Sequence, residues 1–173
     1  AAGRPGRALR GREEMTLIGD LLLYVLTGAV YWWWTANLTV FGLAPNIAFM
    51  AALAAAILAR PAKAMAYGFF FGVYLDLLGT GVFGAYALTY TMMAYGVYIL
   101  KRHFDLVGGF SQIIAALTLS VLTMLFDQSL SLIFAKINPL ELKAFLVEPF
   151  LNAALTPFVV YLFAQFKKRF GVL

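Results

Sequence analysis

The chain contains no cysteine and only one histidine among its 173 residues. The absence of cysteine excludes disulfide bonds, thiol catalysis and cysteine-ligated metals. The single histidine, His103, cannot form a metal cluster by itself, and neither a His-Glu-x-x-His nor a Gly-x-Ser-x-Gly motif occurs. A phosphate-binding loop ending in Lys-Ser or Lys-Thr is missing as well. The sequence therefore predicts a protein that is not an enzyme and that uses no cofactor or metal.

Charged residues are also scarce, at 12% of the chain, whereas soluble domains carry roughly 25%. Hydrophobic residues make up 63%, and the mean hydropathy is +0.86. A domain of this length cannot hide so much apolar surface from water, so its solvent is predicted to be lipid. The net charge of +5 comes from basic segments between apolar runs, which argues against a nucleic-acid partner. We expect an all-α, polytopic membrane protein with one domain at 15–173.

Residues 1–14 form a polar arm rich in arginine and glycine, and Met15 directly precedes the first apolar run. We predict Met15 as the natural start and the arm as a fusion remnant. A spanning helix needs about 20 apolar residues, and six stretches meet or approach that length. They lie at about 17–39, 45–59, 64–78, 83–100, 110–135 and 148–166. Five or seven spans are the competing counts.

Prolines mark several of the predicted helix ends. Pro45 is expected in the first turn of the second helix, and Arg60-Pro61 is expected to close it. Asn138-Pro139 predicts the start of a short interfacial helix within 140–147, which Pro149 should end before the sixth span. Pro157 should kink that last span.

Lysine and arginine are distributed unequally among the segments that flank the spans. The arm, the second loop, the fourth loop and the tail hold eleven of them, the fifth loop holds two, and the first and third loops hold none. Because basic residues accumulate on the cytoplasmic side, both termini are predicted to lie in the cytoplasm.

Acidic residues within the apolar stretches need an explanation, because a charge in hydrocarbon costs several kcal/mol unless it is paired, capped or neutralised. Asp76 lies within Gly68–Gly84, a stretch with five glycines, and no Lys or Arg lies inside a span to pair with it or with Asp127. Asp76 either accepts backbone N–H groups from the 79–81 turn or the start of the next helix, or couples to a ligand or partner. For Asp127, a structural role and a coupling role are both open.

Three stripes would allow another helix to approach closely, because they consist of small or polar residues. Each one either packs inside the domain or forms a groove for a partner protein. At helical spacing they are Ala48/Ala52/Ala56, Gly68/Gly72 and Ser120/Thr123/Asp127.

The central part of the chain resembles a known family. The glycines and acid of the 68–84 stretch, followed by Ala87-Leu88, are similar to the signature of the rod shape-determining protein MreD family. Weaker matches are Pro45, Pro61 and the run Asn152-x-x-x-x-Pro157-Phe-Val, so that the resemblance covers about residues 17–166. The residues expected to build the structure or couple to a partner are Gly68, Gly72, Asp76, Gly81, Gly84, Asp127, Asn152 and Pro157.

The resemblance implies a multi-pass protein of the bacterial cytoplasmic membrane that binds the bitopic protein MreC. Its assembly would include the MreB filament, the RodA glycosyltransferase and a class B penicillin-binding protein. We therefore expect a structural subunit of the elongation machinery, in contact with membrane lipid and either monomeric or a homodimer.

The family is also similar in fold to the vitamin-binding S-components of energy-coupling factor transporters. This alternative predicts an outward-facing polar pocket near Asp76, Asp127, Asn37 and Asn46. A lipid-handling protein is the third possibility, for which acids at matching depth are the only indication.

Overall fold

The computed structural model describes residues 5–38, 43–79, 81–134 and 142–171, with side chains from Thr16 onward. Within these ranges the chain forms six α-helices and no strand, which confirms the all-α fold. The helices are α1 (Pro5–Asn37), α2 (Ile47–Leu58), α3 (Pro61–Leu78), α4 (Ala85–Leu100), α5 (Gly109–Ile133) and α6 (Leu142–Phe170). The backbone of the polar arm is helical from Pro5 and continues directly into the first apolar segment.

Among the described residues, three segments are long and apolar enough to cross a membrane: Thr16–Asn37 of α1, and all of α5 and α6. The other three helices are shorter, with 12 residues in α2, 18 in α3 and 16 in α4. At 1.5 Å per residue, α2 extends only about 18 Å, against about 30 Å for the hydrocarbon core of a bilayer. The chain is thus an all-α membrane protein in which at least one helix is too short to cross the bilayer core alone.

The helix starts differ from the predicted ones by one residue or more. Asn46 caps α2, because its side-chain oxygen accepts the Phe49 N–H at 2.9 Å, and Pro45 therefore precedes the helix instead of lying in its first turn. Pro61 opens α3, in the first position, where its missing N–H leaves no hydrogen bond unmade. Gly84 precedes α4 with a φ of 91°, in the left-handed region that favours glycine.

The predicted break at Pro149 is wrong. From Leu142 to Phe170 the chain forms one continuous helix that contains both Pro149 and Pro157, so no separate interfacial helix exists over the described part of that segment. Each proline removes one N–H from the helical ladder. A helix in hydrocarbon nevertheless persists through proline, since breaking it would leave more backbone groups without partners. The predicted start at Asn138-Pro139 lies outside the described residues.

The central helix of the bundle is α2. Every residue from Ile47 to Ile57 is buried, with at most 8% of its surface exposed. Helices α3, α4 and α6 surround α2, and α1 and α5 touch it from the sides. Its alanines allow this close approach on every face. The Ala48/Ala52/Ala56 stripe is therefore an internal packing surface and not an open groove.

Lysine side chains gather at one end of the bundle, which we call the basic end. Lys101 and Lys167 reach the last turn of α2, where their ammonium groups donate to backbone carbonyls at 3.2 and 2.5 Å. Lys63 pairs with Asp20 of α1 at 2.7 Å. Cations in these positions complement the negative end of the α2 dipole. The ion pair of Lys63 with Asp20 joins α1 to α3.

Acidic side chains gather near the opposite end, which we call the acidic end. It contains the N-terminus of α2 at Asn46, the end of α3 with Asp76, and the part of α5 and α6 that carries Asp127 and Glu148. Each helix runs from one of these ends to the other.

Candidate functional site

Gly68 and Gly72 form the α3 side of a tight seam with α4. A Cβ atom on Gly72 would lie 2.4 Å from both the Ala87 Cα and the Tyr86 carbonyl oxygen, and one on Gly68 would lie 2.6 Å from the Tyr90 oxygen. All three neighbours are backbone atoms, which cannot move away without moving the helix. This stripe therefore packs within the domain and leaves no groove for a partner.

Asp76 extends the same seam by one helical turn. It is 8% exposed, and its two carboxylate oxygens each accept one backbone N–H, Oδ1 from Tyr86 and Oδ2 from Ala87, both at 3.0 Å. These N–H groups lie in the first turn of α4, where no intrahelical acceptor exists. The cap residue itself, Gly84, has no side chain to bind them. Of the two roles considered for Asp76, capping at the start of the next helix is the one observed.

A second polar cluster surrounds a cavity of about 120 Å³ at the acidic end, between α2, α4, α5 and α6. No Lys or Arg is among the described residues that line it. The polar groups that matter most to its chemistry are Asn46, Tyr86, Ser120, Asp127, Glu148 and Asn152. We treat this polar cavity as the candidate functional site.

Asn152 holds three helices together beside the polar cavity. It is 1% exposed; its Oδ1 accepts the Asn46 N–H at 2.8 Å, and its Nδ2 donates to the Ser120 hydroxyl at 3.0 Å. The first contact joins α6 to the N-terminus of α2, and the second joins α6 to α5. The Ser120/Thr123/Asp127 stripe thus faces the interior of the domain, like the other two.

Glu148 lies one turn before Asn152 on α6, and both residues line the polar cavity together with Asn46. Sequence reasoning placed Glu148 only as the first residue of the last span and gave it no role. The available signal was its spacing of four from Asn152, which puts both side chains on one face of a helix. The predicted break at Pro149 concealed that spacing.

Asp127 is half-buried on the opposite side of the polar cavity, and its carboxylate is close enough to Asp76 for the two charges to repel. The site therefore gathers two carboxylates around the cavity and a third close to it. Such groups accept hydrogen bonds, take up protons or attract a cation, since an uncompensated charge is costly in this environment. Within the described ranges, no group of three or more His, Asp and Glu is placed to hold a metal ion.

The remaining predicted residues lie elsewhere. Gly81 is in the turn before α4, with open space around it, and Pro157 is half-buried inside α6; neither lines the polar cavity. Of the four residues expected around a ligand pocket, Asn46 and Asp127 meet at the cavity. Asp76 caps α4, and the Asn37 side chain donates to the Trp33 carbonyl of its own helix.

Fold and site together define an all-α membrane protein whose buried polar side chains serve mainly to join its helices. Comparison of the chain with protein-family models, with curated proteins and with solved structures returned no match. The likeness to the MreD family consequently rests on the sequence pattern alone.

Proposed function

We propose that the protein is a non-enzymatic, multi-pass subunit of the bacterial elongation machinery that binds MreC and helps to organise lateral peptidoglycan synthesis in the cytoplasmic membrane. One observation supports this most: the signature residues Gly68, Gly72, Asp76 and Asn152 all join helices to one another. Residues used in this way make a rigid scaffold. RodA, the class B penicillin-binding protein and MreB would belong to the same assembly.

The proposed topology has six spans and both termini in the cytoplasm. It is supported by the two ends of the bundle, because Lys63, Lys101 and Lys167 come from three different helices and meet at one of them. At the same end, a Cβ on Gly171 would lie 3.9 Å from the Thr16 side chain. The positive-inside rule assigns a basic end to the cytoplasm.

The surface that meets MreC has to face outward, since all three small-residue stripes pack against other helices within the domain. Apolar side chains on the outer faces of the long helices, such as Leu122 and Leu125 of α5, are 54% and 47% exposed. A transmembrane helix of MreC would pack against a surface of this kind by van der Waals contact.

Co-purification with tagged MreC in a mild detergent tests the proposal. We expect the two proteins to remain associated, and photocrosslinking groups at exposed positions of α1, α5 and α6 to identify the face in contact. A crosslinker at Ala52, which is fully buried in α2, is the matched control and should give no crosslink to MreC. Absence of association under these conditions would rule the proposal out.

A vitamin-type S-component is the second candidate, because Asn46 and Asp127 line a polar cavity as that function requires. The cavity volume argues against it: about 120 Å³ is well below the roughly 300–1,000 Å³ of small-molecule sites. We therefore expect no vitamin in a panel to raise the melting temperature at micromolar concentration. A clear rise with one vitamin would favour the S-component, since a ligand of the folded state stabilises it.

A further inference from the structure

A second and larger concavity lies on the other side of α2, between α1 and α6. This lateral groove has a volume of about 860 Å³, with α2 as its floor. Its walls are mostly aliphatic and aromatic. The hydroxyl of Thr27, on the α1 wall, donates to the Leu23 carbonyl of its own helix at 2.8 Å. The side chains that shape it most are Leu26, Val30, Met50, Val159, Leu162 and Phe163.

Positive charge occurs at one mouth of the lateral groove. Lys168 and Arg169 line it at the basic end, whereas the opposite mouth, near Trp34 and Ile47, has no Lys or Arg among the described lining residues. Lys167, the preceding residue, turns away to donate to the Leu58 carbonyl. Of these three consecutive basic residues, Lys167 thus binds the end of α2, whereas Lys168 and Arg169 line the lateral groove.

Size decides which kind of occupant the lateral groove can take. A transmembrane helix about 10 Å wide and about 30 Å long fills roughly 2,400 Å³, far more than the groove offers. A volume of about 860 Å³ instead lies within the roughly 300–1,000 Å³ of small-molecule sites. From Leu155 to Arg169 the groove follows 15 residues of α6. Their length of about 21 Å exceeds the roughly 15 Å depth of one leaflet's hydrocarbon.

We propose that the lateral groove binds one anionic phospholipid, with its phosphate at Lys168 and Arg169 and its acyl chains along the α1–α6 walls. Arginine suits this position because its planar guanidinium can donate two parallel hydrogen bonds to phosphate oxygens. The apolar walls provide no preference among lipids, since acyl chains are equally apolar everywhere in the bilayer. Selectivity has to come from the two cations, which gives an expected preference of about 30-fold for an anionic over a zwitterionic headgroup.

The proposal requires only that the domain lies in a membrane, and it does not depend on MreC. Given the proposed orientation, the bound lipid comes from the cytoplasmic leaflet. It is a structural lipid that fills the space between α1 and the rest of the bundle, and no transport step is involved.

Native mass spectrometry of the full chain, ejected from nanodiscs of equal parts phosphatidylglycerol and phosphatidylcholine, tests the proposal. The wild type should retain one phosphatidylglycerol, with the preference given above. The double variant Lys168→Gln/Arg169→Gln should reduce that preference about 30-fold, to parity. The matched control, Arg60→Gln/Arg102→Gln, removes the same charge at the basic end from residues outside the groove and should keep the preference.

A second arm tests the walls of the lateral groove. Val30→Trp should narrow the groove and weaken retention of either lipid; Leu162→Trp on the opposite wall repeats the test if the first variant does not fold. The proposal is overturned by equal lipid preference in the wild type, by an equal loss in the charge control, or by unchanged lipid retention in the narrowed groove. Ejection of a dimer without lipid would assign the groove to a second copy and would overturn it too.

Discussion

A single methyl group at Gly72 would test the packing of α3 against α4. In Gly72→Ala the new carbon would lie 2.4 Å from the Ala87 Cα and from the Tyr86 carbonyl oxygen, and 2.5 Å from the Ala87 nitrogen. Carbon atoms in ordinary contact are about 3.5–4.0 Å apart, so the two helices have to separate by roughly 1 Å or more. The same displacement would lengthen both hydrogen bonds that Asp76 accepts from α4.

The magnitude follows from three contributions. Overpacking of this kind costs about 1–3 kcal/mol, and weakening two hydrogen bonds to a charged acceptor adds about 1–3 kcal/mol. The better helix propensity of alanine offsets up to about 1 kcal/mol. We expect Gly72→Ala to lower the free energy of unfolding by about 1–6 kcal/mol.

Unfolding in mixed micelles with increasing denaturing detergent, followed by circular dichroism, measures this change. Gly96→Ala is the matched control, because Gly96 lies in α4 and no atom is within 4 Å of the position its Cβ would take. That variant should be neutral or stabilised by up to about 1 kcal/mol. If Gly72→Ala were as stable as Gly96→Ala, the close approach of α3 and α4 would be disproved.

Of three further predictions, two concern hydrogen bonds and the third concerns a pH dependence. Asp76→Asn keeps one acceptor oxygen for the two N–H groups, so its free energy of unfolding in detergent should be lower by about 1–3 kcal/mol. A decrease as large as that of Asp76→Ala would contradict the two-acceptor geometry. Asn152→Leu leaves the Asn46 N–H without its acceptor and should cost about 1–3 kcal/mol, with faster hydrogen exchange at that amide; unchanged exchange would contradict this contact. Burial, and then repulsion from Lys167, lowers the pKa of Lys101 below its usual 10.5. Between the lowered pKa and 10.5 the unfolded chain holds the Lys101 proton more than the folded protein does, so the Lys101 contribution to stability should rise with pH there. In a pH series of unfolding curves, the stability difference between the wild type and Lys101→Met should therefore shift in favour of the wild type as pH rises.

The α3–α4 seam was predictable from the sequence because all of its parts lie close together in the chain. Gly68, Gly72 and Asp76 follow one another at intervals of one helical turn, so a single helix face presents them together. The acid then needed donors, and the nearest unsatisfied N–H groups were those of the following helix. Local spacing and the cost of a buried charge were sufficient to include this contact among the alternatives, and the structure decided between them.

The polar cavity was only partly predictable, because it depends on residues that are distant in the chain. Asn46, Asp127 and Glu148 come from three separate segments, and the pattern within one helix shows only which of its own faces is polar. Asp127 and Asn46 were expected around a pocket and Asn152 was named as a structural residue, whereas Glu148 was given no role. Which side chains line the cavity depends on how α2 and α6 are rotated about their axes and how far each is shifted along the bundle.

The central position of α2 also required the structure. A helix that is apolar on every side has no periodicity from which a buried face can be derived. The sequence indicated one alanine stripe, yet all faces of α2 are buried, because its short side chains admit neighbours all round.

The two contacts of α6 with α2 have a consequence for how the chain matures. Asn152 binds the first turn of α2 and Lys167 binds its last turn, so one helix secures both ends of another. Of the six helices, α6 is the last to leave the ribosome. Until it inserts, α2 is an apolar segment of about 18 Å that lacks these two contacts, in a bilayer core that is too thick for it. The centre of the domain is therefore completed last, and an arrested chain lacking α6 should remain open to membrane proteases.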